Sequence, residues 1–358
     1  MNTHLHHPFG VFVSNGEVFI CDKGNNCVRK LLRNGQIVTI VGGNRTSRKE
    51  EEVKFPMSVV VSSSNQVYIS EKSRIRKIDQ NDVISTIAGT GVSGYNGDNQ
   101  LAVDAQLCNP RGLFVTDEEE VFFCDRDNHR VRKIDRFGII STVAGTGECG
   151  YNGDDILATS AKLYEPISVF VHRNEIYIAD RINNRIRKVL QNGIIKTIAG
   201  TGVNGYNGYD QPATSAKLSH PYGLFVHNDY VYISDYYNYR IRKILPNGII
   251  QTIAGTGIRS GGFDFGDGKL ATESNLRTPV GIFVDDSGIY ITCNDDARVR
   301  KIDSNGILAT IVGTGVQGYS GDVPFDFEKY PHIGPKKKQL IKPFPKSYHD
   351  LTVFFTLT

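Results

Sequence analysis

The 358-residue chain has almost no charge imbalance: 41 lysines and arginines face 38 aspartates and glutamates, for a net charge of +3. A field that would gather nucleic acid or an anionic membrane by charge alone is therefore excluded. No apolar run is long enough to cross a bilayer. The first twenty residues carry three histidines and no continuous apolar core, so no secretory leader is expected. The chain also lacks a glycine-rich phosphate loop and any pairing of a nucleophile with a base. These absences leave few enzyme classes open and no membrane-spanning one.

What is present is a repeat. The string R-[IV]-R-K, or a close variant, returns six times, ending at Lys30, Lys77, Lys133, Lys188, Lys243 and Lys301, at spacings of 47, 56, 55, 55 and 58 residues. A period of this size marks a propeller or an array. Each repeat opens with proline and a short apolar run, as in Pro110 to Val115 or Pro221 to Val226. The run does not alternate with polar residues, which suits a strand buried on both faces. A second strand such as Val121 to Cys124 ends at an acid or amide: Asp22, Glu71, Asp125, Asp180, Asp235 or Asn294. A turn rich in Asn and Asp follows, then the R-x-R-K strand, then a hairpin with Asn-Gly in four repeats, then a fourth strand. Six such units predict an all-β fold, a six-bladed β-propeller of four-stranded antiparallel blades.

The segments between repeats share a second grammar: A-G-T-G, two variable residues, G-Y-N-G-D, then A-x-x-A-x-L before the next proline. It runs over Ala88 to Leu107, Ala144 to Leu163, Ala199 to Leu218 and, more loosely, Ala254 to Leu276. The Ala and Leu spacing predicts short helical turns tucked against the blades. The first linker, Gly42 to Lys54, is shorter and charged. Ring closure is expected where the half-linker Gly313 to Asp322 meets Leu5, which precedes Pro8 as Leu107 precedes Pro110. The propeller is thus assigned to residues 1–322.

Of the six cysteines, Cys21, Cys124 and Cys293 share one repeat position, filled elsewhere by Ser70, Ala179 and Ser234. Equivalent sites in different blades lie too far apart to bridge. They read as small buried residues with free thiols, and the chain as cytoplasmic.

The pattern P-x-G-[LIV]-x-V, strand, D-x-x-N-x-R-[IV]-x-K, joined by AGTG-x-x-GY-x-GD linkers, resembles the NHL-repeat family over residues 5–322. The resemblance implies a platform fold of varied use. Its uses include peptide and RNA platforms in tripartite-motif proteins, sensor modules of bacterial kinases, adhesion modules in teneurins and a metal-dependent lyase that makes peptide amides. Fold does not choose among them.

In a four-stranded blade the second-to-third-strand turns and the linkers share one face, where the loops are longer, so binding is expected there. The partner-binding candidates are Arg111, Tyr222, Tyr236, Tyr237 and Tyr239: Arg111 is the one charge at the residue after the opening proline, and the blade-five tyrosines depart from the repeat consensus. The repeated Tyr95, Tyr151, Tyr206 and Tyr319 read as braces for the linkers. Seventeen of the 41 basic residues lie in the R-x-R-K strands, where pairing with the preceding Asp is the expected role. His7, Asn109, Glu165 and His220, each preceding an opening proline, are the candidates for a divalent metal at the channel mouth.

Residues 323–358 break the composition. A lysine- and proline-rich stretch from Pro335 to Lys346 leads to His349–Phe355, which reads as an unpaired strand. It resembles the first strand of a BTB domain, which implies the start of a further domain; the other reading is a strand returning to a propeller edge. Together these observations predict a non-enzymatic scaffold without cofactor, binding a protein or peptide on the linker face. An RNA platform and a metal-dependent hydrolase or lyase are the alternatives, with no membrane partner or small-molecule substrate evident.

Overall fold

The computed structural model describes residues 3–43, 52–259, 266–320 and 322. The chain divides into two units, Met1–Phe325 and Asp326–Thr358. The second lies outside the described residues, and with it the expectations for the tail.

The first unit is a six-bladed β-propeller. Blades one to six run from Pro8 to Gly42, Ser58 to Ala88, Pro110 to Ala144, Pro166 to Ala199, Pro221 to Ala254 and Pro279 to Val312. Each is an antiparallel meander whose strands pair in chain order. The six inner strands pack each against the next, and the sixth against the first, which closes the ring. An apolar cluster fills every seam between neighbouring blades. The seam between blades four and five, for example, buries Ile186, Leu218, Ile233 and Ile250 completely. The unalternated apolar inner runs are explained by this geometry: both faces of an inner strand meet a seam, as Leu224 and Val226 pack toward blade four and Phe225 toward blade six.

The linkers differ from expectation in one respect. Before turning inward they run along the outer edge of the next blade. There Gln100–Leu101, Ile156–Leu157 and Gln211–Pro212 pair with the outer strands of blades three, four and five as a fifth strand. The pairing covers an edge that would otherwise offer open backbone groups to another chain. Three-residue 3-10 turns follow, Ala102–Asp104, Ala158–Ser160, Ala213–Ser215 and Ala271–Glu273, with the first alanine of each buried. The first glycine of AGTG is required by space: at Gly145 (φ 97°) a Cβ would lie 2.3 Å from the carbonyl oxygen of His129.

The ring closes by repeating linker geometry across two distant segments. Thr314 N–H donates to the Thr3 carbonyl at 3.0 Å, as Thr146 donates to Ala161 and Thr201 to Ala216. Leu5 bridges Gln317 in parallel, and Gly318 N–H donates to the Leu5 carbonyl at 3.1 Å.

Candidate functional site at the linker-face channel mouth

The R-x-R-K strands are consumed inside the fold. The second arginine of each copy is buried, and in blades one to five it meets the acid that ends the second strand. These pairs are Arg29–Asp22 at 3.5 Å, Arg76–Glu71 at 3.2 Å, Arg132–Asp125 at 3.4 Å, Arg187–Asp180 at 3.5 Å and Arg242–Asp235 at 3.3 Å. The Asp of the incoming GYNGD linker adds a second contact: Asp98 on Arg132 at 2.7 Å, Asp154 on Arg187 at 3.0 Å, Asp322 on Arg29 at 2.5 Å. Blade five lacks it because Tyr209 stands where the acid would be, while Arg242 keeps its bond to the Gly208 carbonyl at 2.9 Å, as Arg187 does to that of Gly153. The first arginine holds the outgoing linker, as Arg130 and Arg240 do at the Thr146 and Thr256 carbonyls, both at 2.7 Å. The GY tyrosines lie over these guanidinium groups. Tyr95, Tyr151 and Tyr206 stack on Arg130, Arg185 and Arg240 at 3.8 Å, and Tyr319 on Arg29 at 5.0 Å. Brace and pairing roles therefore account for both repeated features.

The residues after the opening prolines converge at the mouth of the channel. Phe9 of blade one reaches Tyr222 of blade five, ring centroids 5.3 Å apart. The Arg111 guanidinium sits 5.3 Å from the Phe9 centroid, and its Nη1 lies against Met57 Sδ. Deeper in, a column the sequence reading passed over forms a collar. Phe114–Phe170, Phe170–Phe225, Phe225–Phe283 and Phe283–Phe12 follow one another at 4.7–4.9 Å, and Val60 breaks the chain in blade two. A cavity of about 300 Å³ runs along these inner strands. The sequence carries its signal: the fourth residue after the opening proline is Phe in five repeats of six.

Arg111 is 7% exposed, and its Nε is buried without a hydrogen-bond partner. Burial, with Arg126 and Arg181 nearby, pushes its pKa below the usual arginine value despite Tyr222 and Asp127. A second set of cations, also missed from sequence, surrounds it: the residue following the acid of each second strand is Lys23, Lys72, Arg126 and Arg181 in blades one to four, then Tyr236 and Asp295. Arg126 and Arg181 share Glu165, the former at 2.5 Å, and Arg126 also meets Asp127 at 3.3 Å. Burial opposes ionisation of Glu165, but hydrogen bonds and charge from these arginines outweigh it and hold the carboxyl below its usual range. Lys23 and Lys72 have no carboxylate partner among the described residues. Burial, then the charges of Arg111 and Arg126, lower the Lys23 pKa. A pocket of about 340 Å³ opens between Lys23, Lys72 and Arg111, with Asn109 and Asp127 on its wall.

Blade five supplies an aromatic wall. Tyr222 packs on Tyr236 at 5.3 Å, Tyr236 on Tyr237 at 4.6 Å, and Tyr237 on His220 at 4.8 Å. Tyr237 is 47% exposed, while burial raises the Tyr236 hydroxyl to a pKa of about 12. Tyr239 stands apart: it is the left-handed residue (φ 53°) that closes the turn, and its ring joins none of these stacks. The structure thus groups four of the five candidates around the mouth, Arg111 and Tyr222 at its centre with Tyr236 and Tyr237 beside them.

The four metal candidates are not brought together. All occupy a left-handed slot before proline, at φ 49° for His7, 56° for Asn109, 50° for Glu165 and 51° for His220. One slot per blade spaces them around the ring, and each has its own neighbour: His7 bonds Asn294 at 3.1 Å, Asn109 bonds Asp127 at 3.1 Å, Glu165 holds the two arginines, and His220 faces Tyr237. Among the described residues no three His, Cys, Asp or Glu side chains converge on one point. The register cysteines Cys21, Cys124 and Cys293 are fully buried, and all six thiols are free. Among the described residues no helix is long and apolar enough to cross a membrane.

Comparison with known proteins agrees with this geometry. Residues 253–328 match the model of the teneurin NHL domain. NHL repeat-containing protein 2 of Gallus gallus is 24% identical over 333 residues, covering 81% of this chain and 45% of that protein. Teneurin-4 of Mus musculus is 25% identical over 337 residues, 82% of this chain and 12% of that one. The chain therefore spans less than half the length of these curated relatives. Neither name states a catalytic activity. Virginiamycin B lyase from Staphylococcus aureus shares the fold alone, at 17% identity and a TM-score of 0.51, over 88% of this chain and 86% of that one. Repeat grammar, blade topology and these matches together make the chain a six-bladed β-propeller similar to those of NHL-repeat proteins.

Proposed function

We propose that the propeller is a non-enzymatic platform that binds a protein or peptide segment on its linker face. The supporting observation is the ladder His220–Tyr237–Tyr236–Tyr222, which exposes the Tyr237 ring where the other blades carry short polar or charged turns. Rigid tyrosines give large contact area at small entropic cost, and binding energy concentrates on such residues. The Phe9–Tyr222 contact and the phenylalanine collar narrow the channel, so a partner docks across the mouth. With the repeated arginines engaged internally, RNA phosphates would find no stripe of free guanidinium groups along the blades.

The test identifies a partner by proximity labelling with the intact chain, then measures its affinity for variants. Tyr236→Ser with Tyr237→Ser should weaken binding by about 2 kcal/mol or more. Glu118 lies exposed in a first-to-second-strand turn on the other face, and Glu118→Ala should leave affinity unchanged. Glu119 is a poorer control because it bonds Ser64 at 2.7 Å. Silent tyrosines together with a damaging Glu118→Ala would assign binding to the wrong face.

A further inference from the structure

We propose that the pocket formed by Arg111, Lys23 and Lys72 is a carboxylate-binding subsite, and that the segment bound on the linker face is acidic there. The inference rests on the platform reading above and gives it a chemistry. Three cations line one recess, and its wall holds a single carboxylate, Asp127, which already serves Arg126 at 3.3 Å and Asn109 at 3.1 Å. Positive charge in the recess is therefore in excess. Arg111 is the more telling of the three. A guanidinium so deeply covered is ordinarily paired with a carboxylate, because five donors removed from water need acceptors. Here it meets a thioether and the face of Phe9, and it lines the recess with Lys23 and Lys72. Repeat equivalents Phe9, Met57, Ile167, Tyr222 and Val280 are uncharged, so the blade geometry does not demand a cation at this position. Burial is the largest cause of the depressed Lys23 and Arg111 pKa values, and neighbouring cations, Arg126 among them, add to it in both.

The shape favours a side-chain carboxylate over a nucleic-acid backbone. Phosphates of a bound strand need a track of exposed cations along a groove, whereas this is one recess of about 340 Å³ with its principal cation buried. A carboxylate entering it would meet a fork of N–H donors from Arg111 and an ammonium from Lys23, charge-assisted bonds in a partly desolvated setting. The rest of the segment would then cross the mouth toward Tyr237.

The experiment titrates the full chain, by fluorescence anisotropy near physiological salt, with labelled oligoglutamate, oligoglutamine of the same length and oligouridylate. Saturable binding of oligoglutamate alone is expected. Arg111→Gln and Lys23→Gln should each weaken it by about tenfold or more, one charge-assisted contact being worth that much, and Arg111→Lys should weaken it less. Unchanged melting temperatures establish that the variants fold, and Lys23, only half-buried, serves if Arg111→Gln does not. Equal binding of oligoglutamine, or silent Arg111→Gln and Lys23→Gln variants, overturns the inference. So does tighter binding of oligouridylate with the same dependence on Arg111, which would make the pocket a phosphate site. If oligoglutamate fails while Tyr236→Ser with Tyr237→Ser still abolishes partner binding, this inference falls and the platform reading stands. If oligoglutamate binds while the tyrosine pair is silent, the subsite stands and the aromatic anchor falls.

Discussion

Replacing Arg187 by leucine tests the internal clamp that organises every blade. The side chain is fully buried, with Nη1 3.5 Å from Asp180, Nη2 2.8 Å from the Gly153 carbonyl and 3.0 Å from Asp154, and its guanidinium 4.9 Å from the Tyr151 ring. Leucine fills much of the volume but leaves Asp180 buried without its cation. Breaking a buried pair from one side costs about 3–5 kcal/mol. Spread over a propeller of this size, that corresponds to a fall in melting temperature of roughly 4–8 °C. The loss should depend on pH in a stated sense. Burial raises Asp180 to a pKa of about 6, against the pull of its backbone, Asn183 and Arg187 hydrogen bonds. In the unfolded chain the value is about 3.9. A folded value above the unfolded one means that Asp180 contributes most in acid, and that the contribution is lost as the pH rises through about 6. Without Arg187 the folded value climbs further, so the gap between wild type and variant should widen from about pH 5 to about pH 8. Adding Asp180→Asn should recover part of the loss, because the orphaned charge is gone. Thermal unfolding followed by circular dichroism across that range decides the matter. A gap that does not change with pH, or a double variant no better than the single one, would refute the argument.

Single substitution of Cys21, Cys124 or Cys293 by alanine should cost about 0.5–3 kcal/mol, and mass spectrometry of the alkylated native protein should find no pair among the three oxidised. Cys149, the exposed cysteine, should react with a thiol reagent well before any of them; a buried one reacting first would contradict the packing. Excising one whole repeat, residues 110–165, should leave seams without partners and yield aggregated protein. A soluble variant that unfolds cooperatively would show that the ring tolerates five blades.

The fold was legible because a propeller is a repeated local decision: proline opens, Asx turns reverse, Asn-Gly closes, and six copies agree. The clamps were half legible. The pairing of Arg132 with Asp125 follows from two repeated residues on neighbouring strands, but Asp98 and Tyr95 reach the same arginine from another blade's linker. Their 34- and 37-residue offsets carry no signal until the ring geometry is known. The fifth strands escaped notice because Gln100–Leu101 and its equivalents pair through backbone groups, to which side-chain patterns are blind. The site was legible only as departures from consensus. Arg111 stood out as one charge among six equivalents, but not its burial, which depends on Met57 and Phe9 arriving from two other blades. Tyr239 looked like its neighbours in sequence and differs from them because it takes the left-handed corner of the turn. The metal candidates shared a slot, but in the structure each is engaged by a different neighbour.

The clamp that joins the last linker to the first blade is chemically the same as the others, yet its chain entropy is not. Asp322 and Arg29 are 293 residues apart, whereas Asp98 and Arg132 are 34 apart. With closure entropy rising as the logarithm of loop length, the sixth seam is weaker than an interior one by only about 2 kcal/mol. That difference is small against the stability of the ring but sufficient to concentrate its breathing. Transient opening of the propeller, and the final step of its assembly, should both fall at the seam where residues 3–5 lie along residues 314–318.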